Sequence, residues 1–127
     1  MQKVVLLIDD NQEELLTLTG ALQQAGIDSL GKWVNTAEGA FYYLKQVVPD
    51  YIFFDVKTPA IHNLDFLQEV KKMSKVEQVP LILYSTDLTK ETYEKAIEAG
   101  ASYYIQKTAS QNELVKKLET IFTDAIV

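Results

Sequence analysis

Five polar residues stand where apolar runs of the kind found in β-strands come to an end: Asp9, Asp10, Asp55, Ser85 and Lys107. The runs are VVLLI, YIFF, PLILY and ASYYIQ. In an open α/β sheet the ligand site lies beyond the carboxyl ends of the parallel strands, so residues far apart in the chain can meet there. The sequence therefore predicts a pocket that combines three carboxylates, a hydroxyl and an ammonium.

The types of residue in this pocket indicate a particular chemistry. Asp9, Asp10 and Asp55 would repel one another unless a cation lay among them. Mg²⁺ is the natural candidate, because it binds one or two carboxylates together with phosphate oxygens and leaves one carboxylate free as a nucleophile. Lys107 would neutralise charge on a transferred phosphoryl group, and Ser85 would donate a hydrogen bond to it. We therefore expect phosphorylation of an aspartate.

The rest of the chain supplies the elements that would hold these residues. Short apolar runs alternate with longer amphipathic stretches, which favours βαβ units and a parallel sheet. The predicted strands are Lys3–Ile8, Ile27–Val34 (weaker and interrupted at Gly31), Tyr51–Phe54, Pro80–Tyr84 and Ala101–Gln106. The predicted helices are Asn11–Ala25, a helix capped by Thr36 and stopped by Pro49, Leu64–Met73, Thr89–Ala99 and Ser110–Ile126. The leucines predicted to share one face of the first helix are Leu15, Leu16, Leu18 and Leu22.

Length and composition limit the class of protein. A chain of 127 residues with 47% hydrophobic content suits one domain, here 1–127, with a real core. The net charge of −6 argues against a general nucleic-acid binder, which needs a clustered basic face. The absence of cysteine excludes thiolate and disulfide chemistry. The first apolar run is too short for a signal peptide or a membrane span, so we expect a soluble, cytoplasmic protein. From the initial Met and the short C-terminal tail we expect a stand-alone product.

Four segments of the chain, LLIDDN, FFDVKTP, PLILYST and GASYYIQK, resemble the receiver domain of bacterial two-component response regulators in their order and spacing. The resemblance covers the whole chain. It implies a doubly wound, flavodoxin-like (βα)5 fold with a five-stranded parallel sheet of strand order 2-1-3-4-5. The roles that it implies are Asp55 as phosphoacceptor, Asp9, Asp10, Asp55 and the backbone carbonyl of Lys57 as Mg²⁺ ligands, Ser85 as switch hydroxyl, Lys107 as site lysine, and Tyr104 as switch aromatic.

The resemblance also implies a mechanism and partners. The phosphoryl group would come from a sensor histidine kinase or a histidine phosphotransfer protein. Movement of the hydroxyl and the aromatic would then reshape the face formed by the fourth helix, the fifth strand and the fifth helix, where a downstream protein would dock. The chain would catalyse only its own phosphorylation and dephosphorylation. It would be a monomer or a phosphorylation-linked dimer, with neither nucleic acid nor membrane as partner.

The chain departs from the family pattern in two places. Thr108 follows the site lysine where the family usually has proline, often with a cis peptide, and Asn63 replaces a common glycine. Lys57 and Asp87 occupy positions that vary in the family. We expect their side chains to pair across the mouth of the site and to slow the attack of water on the phosphoryl group. His62, in the same loop as Asn63, is either a proton shuttle or an exposed loop residue.

The sequence is also compatible with other site residues and other functions. Thr86 competes with Ser85 for the hydroxyl role, although spacing favours Ser85 and strand alternation sends the two side chains to opposite faces. A receiver-like module that binds partners without phosphorylation is the alternative function. A flavin binder of flavodoxin type is disfavoured, because the loop DDNQEE would repel a phosphate. A phosphohydrolase with an aspartate nucleophile would need a larger cap insertion.

Overall fold

The computed structural model of the protein describes residues 2–55, 65–86, 89–107 and 110–124. Within those residues, strands and helices alternate along the chain. The strands are β1 (Lys3–Ile8), β2 (Ser29–Val34), β3 (Tyr51–Phe54), β4 (Leu81–Ser85) and β5 (Ala101–Gln106). The helices are α1 (Glu13–Gln24), α2 (Ala37–Leu44), α3 (Asp65–Lys71), α4 (Lys90–Glu98) and α5 (Gln111–Asp124). None of the helices described is long and apolar enough to cross a bilayer.

The strands form one parallel sheet in the order β2-β1-β3-β4-β5, as predicted. All residues of β3 and β4 are buried, as expected for central strands that are covered on both faces. Side chains of successive residues point to opposite faces, so the sheet separates two apolar cores. One core contains Leu6, Phe54 and Leu83 and lies against α2, α3 and α4, and the other contains Phe53 and lies against α1 and α5.

A local sequence signal accounts for the start of α2. The hydroxyl of Thr36 accepts a hydrogen bond from the backbone N–H of Gly39 at 2.9 Å, which confirms the predicted cap of α2. That helix ends at Leu44, several residues before Pro49, so the proline does not end it directly. The predicted face of α1 is wrong at one position. Leu16 is 73% exposed, because α1 is covered only along a stripe that includes the buried Leu18.

Gly31 does not interrupt β2, contrary to the prediction. The strand continues through it, and Gly31 pairs with Val5 of β1. A Cβ atom at this position would lie 2.9 Å from Leu15 Cδ1 and 3.0 Å from Thr19 Cγ2. Glycine therefore allows the side chains of α1 to pack closely against the strand, and a larger residue would force Leu15 or Thr19 to shift.

Candidate functional site

The carboxyl ends of β1 and β3 are level with each other. Ile8 pairs with Phe54, and the backbone N–H of Asp55 donates to the carbonyl of Ile8 at 3.0 Å. The next residues in the two segments are Asp9 and Asp55, which are both buried. The register of a parallel strand pair therefore places two carboxylates side by side, although 45 residues of chain separate their strand ends.

The carboxyl ends of β4 and β5 complete the pocket. Ser85 pairs with Gln106, and the backbone N–H of Lys107 donates to the carbonyl of Ser85 at 3.1 Å. The side chain of Ser85 is fully buried, and its hydroxyl donates to Asp55 Oδ1 at 2.9 Å. Thr86 is exposed. Of the two candidate hydroxyls, Ser85 is therefore the one that reaches Asp55.

Lys107 is the cation of the pocket. Its ammonium donates to Asp9 Oδ2 at 2.5 Å and to Asp55 Oδ2 at 2.7 Å. Asp55 is thus bonded at both oxygens, by Ser85 at one and by Lys107 at the other. The ammonium also forms an ion pair with Glu14 Oε2 at 3.2 Å. One positive charge is therefore shared among three carboxylates.

Three carboxylates form a cluster that suits a hard cation. Asp9, Asp10 and Asp55 each place one oxygen within 4.8 Å of the others. The backbone N–H of Asn11 donates to Asp9 Oδ1 at 2.9 Å and fixes the orientation of that carboxylate. Asp10 is exposed while Asp9 and Asp55 are buried, so the cluster is open on one side. An all-oxygen site with an open side fits Mg²⁺, which binds a few carboxylates and retains water.

Burial and pairing act on the ionisation of this cluster. Burial raises the pKa of Asp9 above its ordinary value, and the hydrogen bond from Lys107 opposes that rise. Burial by itself would lower the pKa of Lys107, but the hydrogen bonds to Asp55 and Asp9 outweigh it, and the net shift is upward. Lys107 is consequently held in its charged form.

The comparisons with known proteins agree with this geometry. Residues 5–119 match the family model of the response regulator receiver domain. The chain belongs to that family. The receiver is 32% identical over 109 residues to the sensor histidine kinase CheAY of Helicobacter pylori, a match that covers 84% of this chain and 13% of that protein. It is 26% identical over 121 residues to the chemotaxis protein CheY of Thermotoga maritima, with 95% of this chain and 98% of that protein covered.

A solved structure supports the fold of the receiver. It is the receiver domain of a sensor histidine kinase from Pseudomonas aeruginosa PAO1, determined with a magnesium ion coordinated in its active-site cleft. The two structures agree with a TM-score of 0.77 at 20% sequence identity, over 94% of this chain and 97% of that one. The similarity confirms a flavodoxin-like doubly wound sheet.

Three residues that contact the receiver site were not predicted from the sequence. Glu14, in the first turn of α1, forms an ion pair with Lys107. The ring of Tyr84 lies with its centroid 5.3 Å from the ammonium of Lys107, within range of a cation–π contact. The indole N–H of Trp33 donates to the backbone carbonyl of Asp9 at 2.8 Å. A partly buried tryptophan near the end of β2 needs an acceptor, and this requirement was the available signal.

Tyr104 lies away from the pocket, on the surface between α4 and α5. Its side chain is 41% exposed and packs edge-on against Tyr93 of α4, with ring centroids 4.9 Å apart. The ammonium of Lys117, on α5, lies 5.4 Å from the centroid of the Tyr104 ring. Tyr103, the residue before Tyr104, packs against the core that also contains Phe53.

Several predictions concern residues outside those that the structure describes, and they stay predictions. They are the carbonyl of Lys57 as a metal ligand, the pairing of Lys57 with Asp87, the role of His62, the turn at Asn63, and the peptide between Lys107 and Thr108.

Proposed function

We propose that this receiver accepts a phosphoryl group on Asp55 from a phosphohistidine partner in a Mg²⁺-dependent reaction. The observation that carries the proposal is the pair of hydrogen bonds to Asp55, from the buried hydroxyl of Ser85 and from the ammonium of Lys107. These donors hold the carboxylate in one orientation beside the acidic cluster, as a nucleophile requires. The partner is a sensor histidine kinase or a histidine phosphotransfer protein.

The transfer is a displacement at phosphorus. A carboxylate oxygen of Asp55 forms the new P–O bond while the P–N bond to the partner's histidine breaks. The electron pair of that bond returns to the imidazole nitrogen, which then takes up a proton. Lys107 stabilises the negative charge on the phosphoryl oxygens, because its ammonium already lies within hydrogen-bonding distance of Asp55. Ser85 offers a hydroxyl hydrogen to the same group.

The acidic cluster would hold the metal ion. Asp9, Asp10 and Asp55 would be its ligands among the described residues, and a bound ion would supply positive charge beside the phosphoryl oxygens. The magnesium-bound receiver from Pseudomonas aeruginosa supports this assignment. Asp9 is oriented for this role by the N–H of Asn11, and its backbone carbonyl is fixed by the indole of Trp33.

Phosphorylation would alter the surface formed by α4, β5 and α5, which we call the output face. Ser85 would exchange its bond to Asp55 for one to the phosphoryl group, and Tyr104 would change its position beside Tyr93. The face carries exposed apolar side chains, Tyr93, Ile97 and Tyr104, beside a cleft of about 330 Å³ that Lys116 and Lys117 also line. A downstream protein docks there, and the receiver acts on no substrate other than its own aspartate.

Intact-protein mass spectrometry after incubation with Mg²⁺ and acetyl phosphate tests this function. We expect a gain of one phosphoryl group in the wild type, no gain in Asp55→Asn, and no gain in the wild type when the metal is chelated. Asp50→Asn is the matched control and should be phosphorylated like the wild type, since Asp50 bonds to the backbone of Val4 and not to the pocket. Failure of the wild type with acetyl phosphate and with a panel of phosphohistidine donors would point to a module that binds without phosphorylation.

A further inference from the structure

Glu14 is an unexpected fourth carboxylate at the pocket. It lies in the first turn of α1, where side chains commonly point into water, yet its side chain is only 21% exposed. Its neighbour Glu13 is exposed. Glu14 adds negative charge to a site that already holds the carboxylates of Asp9, Asp10 and Asp55. Among the described residues, its ion pair is with Lys107.

Lys107 donates two hydrogen bonds, to Asp9 and Asp55, and forms a longer ion pair with Glu14. An ammonium has three N–H groups, so two of them are already engaged by buried carboxylates. A phosphoryl oxygen that arrives at Asp55 would be attracted by the same ammonium. The phosphoryl group and Glu14 would then compete for the part of the lysine charge that the two hydrogen bonds leave.

Of the three carboxylates around Lys107, Glu14 can lose its contact at the lowest cost in free energy. Its distance of 3.2 Å to Lys107 is longer than the 2.5 Å and 2.7 Å of Asp9 and Asp55. Its side chain is also the most exposed of the three, so water can replace the lysine as its partner. Asp9 and Asp55 are buried, and unpairing a buried carboxylate is expensive.

We propose that Glu14 is a positioning residue that competes with the phosphoryl group for Lys107 and so lowers the phosphorylated population of the receiver. The inference rests on the proposed function of Asp55. In the unphosphorylated protein, Glu14 holds part of the charge of Lys107. The phosphoryl group would compete with Glu14 for that charge and would lie near the Glu14 carboxylate, which repels it. Both effects favour the unphosphorylated state, and both disappear when Glu14 is made neutral.

The experiment compares Glu14→Gln with Glu13→Gln. The two changes remove the same charge from adjacent positions of one helix turn, but only Glu14 contacts Lys107. Two quantities are measured for each protein: the rate of phosphoryl uptake from acetyl phosphate, and the affinity for beryllofluoride with Mg²⁺, a phosphoryl analogue that needs no bond to be broken. The fluorescence of Trp33, the single tryptophan, reports binding through its hydrogen bond to the carbonyl of Asp9.

We expect Glu14→Gln to raise both quantities about two- to fivefold over the wild type, the range for losing one partly solvated ion pair, and to exceed Glu13→Gln in each. Repeating both changes in a Lys107→Gln background tests the route of the effect. If Glu14 acts through Lys107, the advantage of Glu14→Gln over Glu13→Gln in beryllofluoride affinity shrinks there to the part that comes from direct repulsion. A purely structural role of Glu14 would leave the advantage unchanged in both backgrounds.

The opposing outcomes are distinct. Equal effects of the two glutamine variants, in a wild type that is phosphorylated, would overturn the inference and leave the proposed function intact. A lower affinity in Glu14→Gln would also overturn it, because Glu14 would then hold Lys107 in a productive place. If the wild type takes up neither the phosphoryl group nor beryllofluoride, the proposed function fails and the inference fails with it.

Discussion

Charged groups at the two ends of the sheet are bonded in different ways. At the carboxyl end, the ammonium of Lys107 bonds to carboxylates. At the amino end, the ammonium of Lys71 donates to the backbone carbonyls of Glu77 at 2.7 Å and Val79 at 3.2 Å, just before β4 begins. Asp50, which precedes β3, accepts from the backbone N–H of Val4 at 2.7 Å.

This difference separates charged side chains that stabilise the backbone from charged side chains that can exchange partners. A side chain bonded to backbone fixes a turn, and its partners cannot move unless the chain moves. Side chains bonded to one another can exchange partners while the backbone stays in place. The pKa values follow the same division: burial lowers the pKa of Lys71, whereas carboxylate partners overcome burial and raise the pKa of Lys107. The carboxyl end is therefore the end at which an incoming anion can change the bonding.

Replacing Lys107 with methionine should give the largest effect and the strongest test of the comparison. The change leaves Asp9 and Asp55 buried without their cation, which typically costs about 3–5 kcal/mol of unfolding free energy. Mg²⁺ should recover part of this loss, because the same carboxylates form the candidate metal cluster. Urea unfolding with and without Mg²⁺ measures both quantities. A loss that Mg²⁺ does not reduce would contradict the placement of the metal among these carboxylates.

Replacing Lys71 with methionine should cost less and should not depend on the metal. The change removes two hydrogen bonds to backbone carbonyls and keeps much of the apolar stem, so we expect a loss of about 1–2 kcal/mol. The same urea experiment applies, with Lys72→Met as the control. Lys72 is exposed and should change stability by less than about 0.5 kcal/mol. Partial recovery of Lys71→Met by Mg²⁺ would break the distinction between the two ends of the sheet.

Asp50→Ala tests whether Asp50, like Lys71, contributes to stability and not to phosphoryl uptake. It removes the acceptor of the Val4 N–H, an exposed bond that water can partly replace, and should cost about 0.5–1 kcal/mol. Phosphoryl uptake should equal that of the wild type when measured by mass spectrometry. Altered uptake at unchanged stability would mean that the two ends are coupled.

The smallest effect is expected in the pH dependence of stability. The pKa of Lys71 is lower in the folded chain than its ordinary value of 10.5, because burial disfavours the charged form. The unfolded chain therefore binds this proton more tightly, and the contribution of Lys71 to stability rises with pH between its folded pKa and 10.5. The difference in unfolding free energy between wild type and Lys71→Met should grow over this range by less than about 1.4 kcal/mol per pH unit. A difference that shrinks would reverse the assigned direction.

Strand patterns predicted the sheet and the meeting of Asp9, Asp55, Ser85 and Lys107, because all parallel strands end at one edge. That rule needs no knowledge of helix packing. Leu16 shows what periodicity cannot predict. Periodicity identifies an apolar face of α1, but neighbouring elements decide how much of that face is covered, and they leave Leu16 73% exposed. Gly31 shows a second limit, because its lack of a side chain was taken as an interruption when it allows a close contact.

Glu14 was missed for a related reason. In sequence it is an acid in the first turn of a helix, where the helix dipole already accounts for it. Its contact with Lys107 depends on where α1 begins relative to the end of β5, and no local pattern contains that distance. Tertiary placement, and not residue type, decides whether such a carboxylate joins the pocket.

Gly31 gives β2 a second connection to the pocket, in addition to the hydrogen bond from Trp33 to the carbonyl of Asp9. A methyl group there would lie too close to the ends of the Leu15 and Thr19 side chains, so these side chains or α1 would have to shift. The first turn of α1 carries Glu14, so a shift of the helix would change the distance from Glu14 to Lys107 without altering any charged residue. Variants selected for stronger or weaker signalling should therefore include uncharged substitutions in this strand. A survey of the pocket residues alone would predict that such substitutions have no effect on signalling.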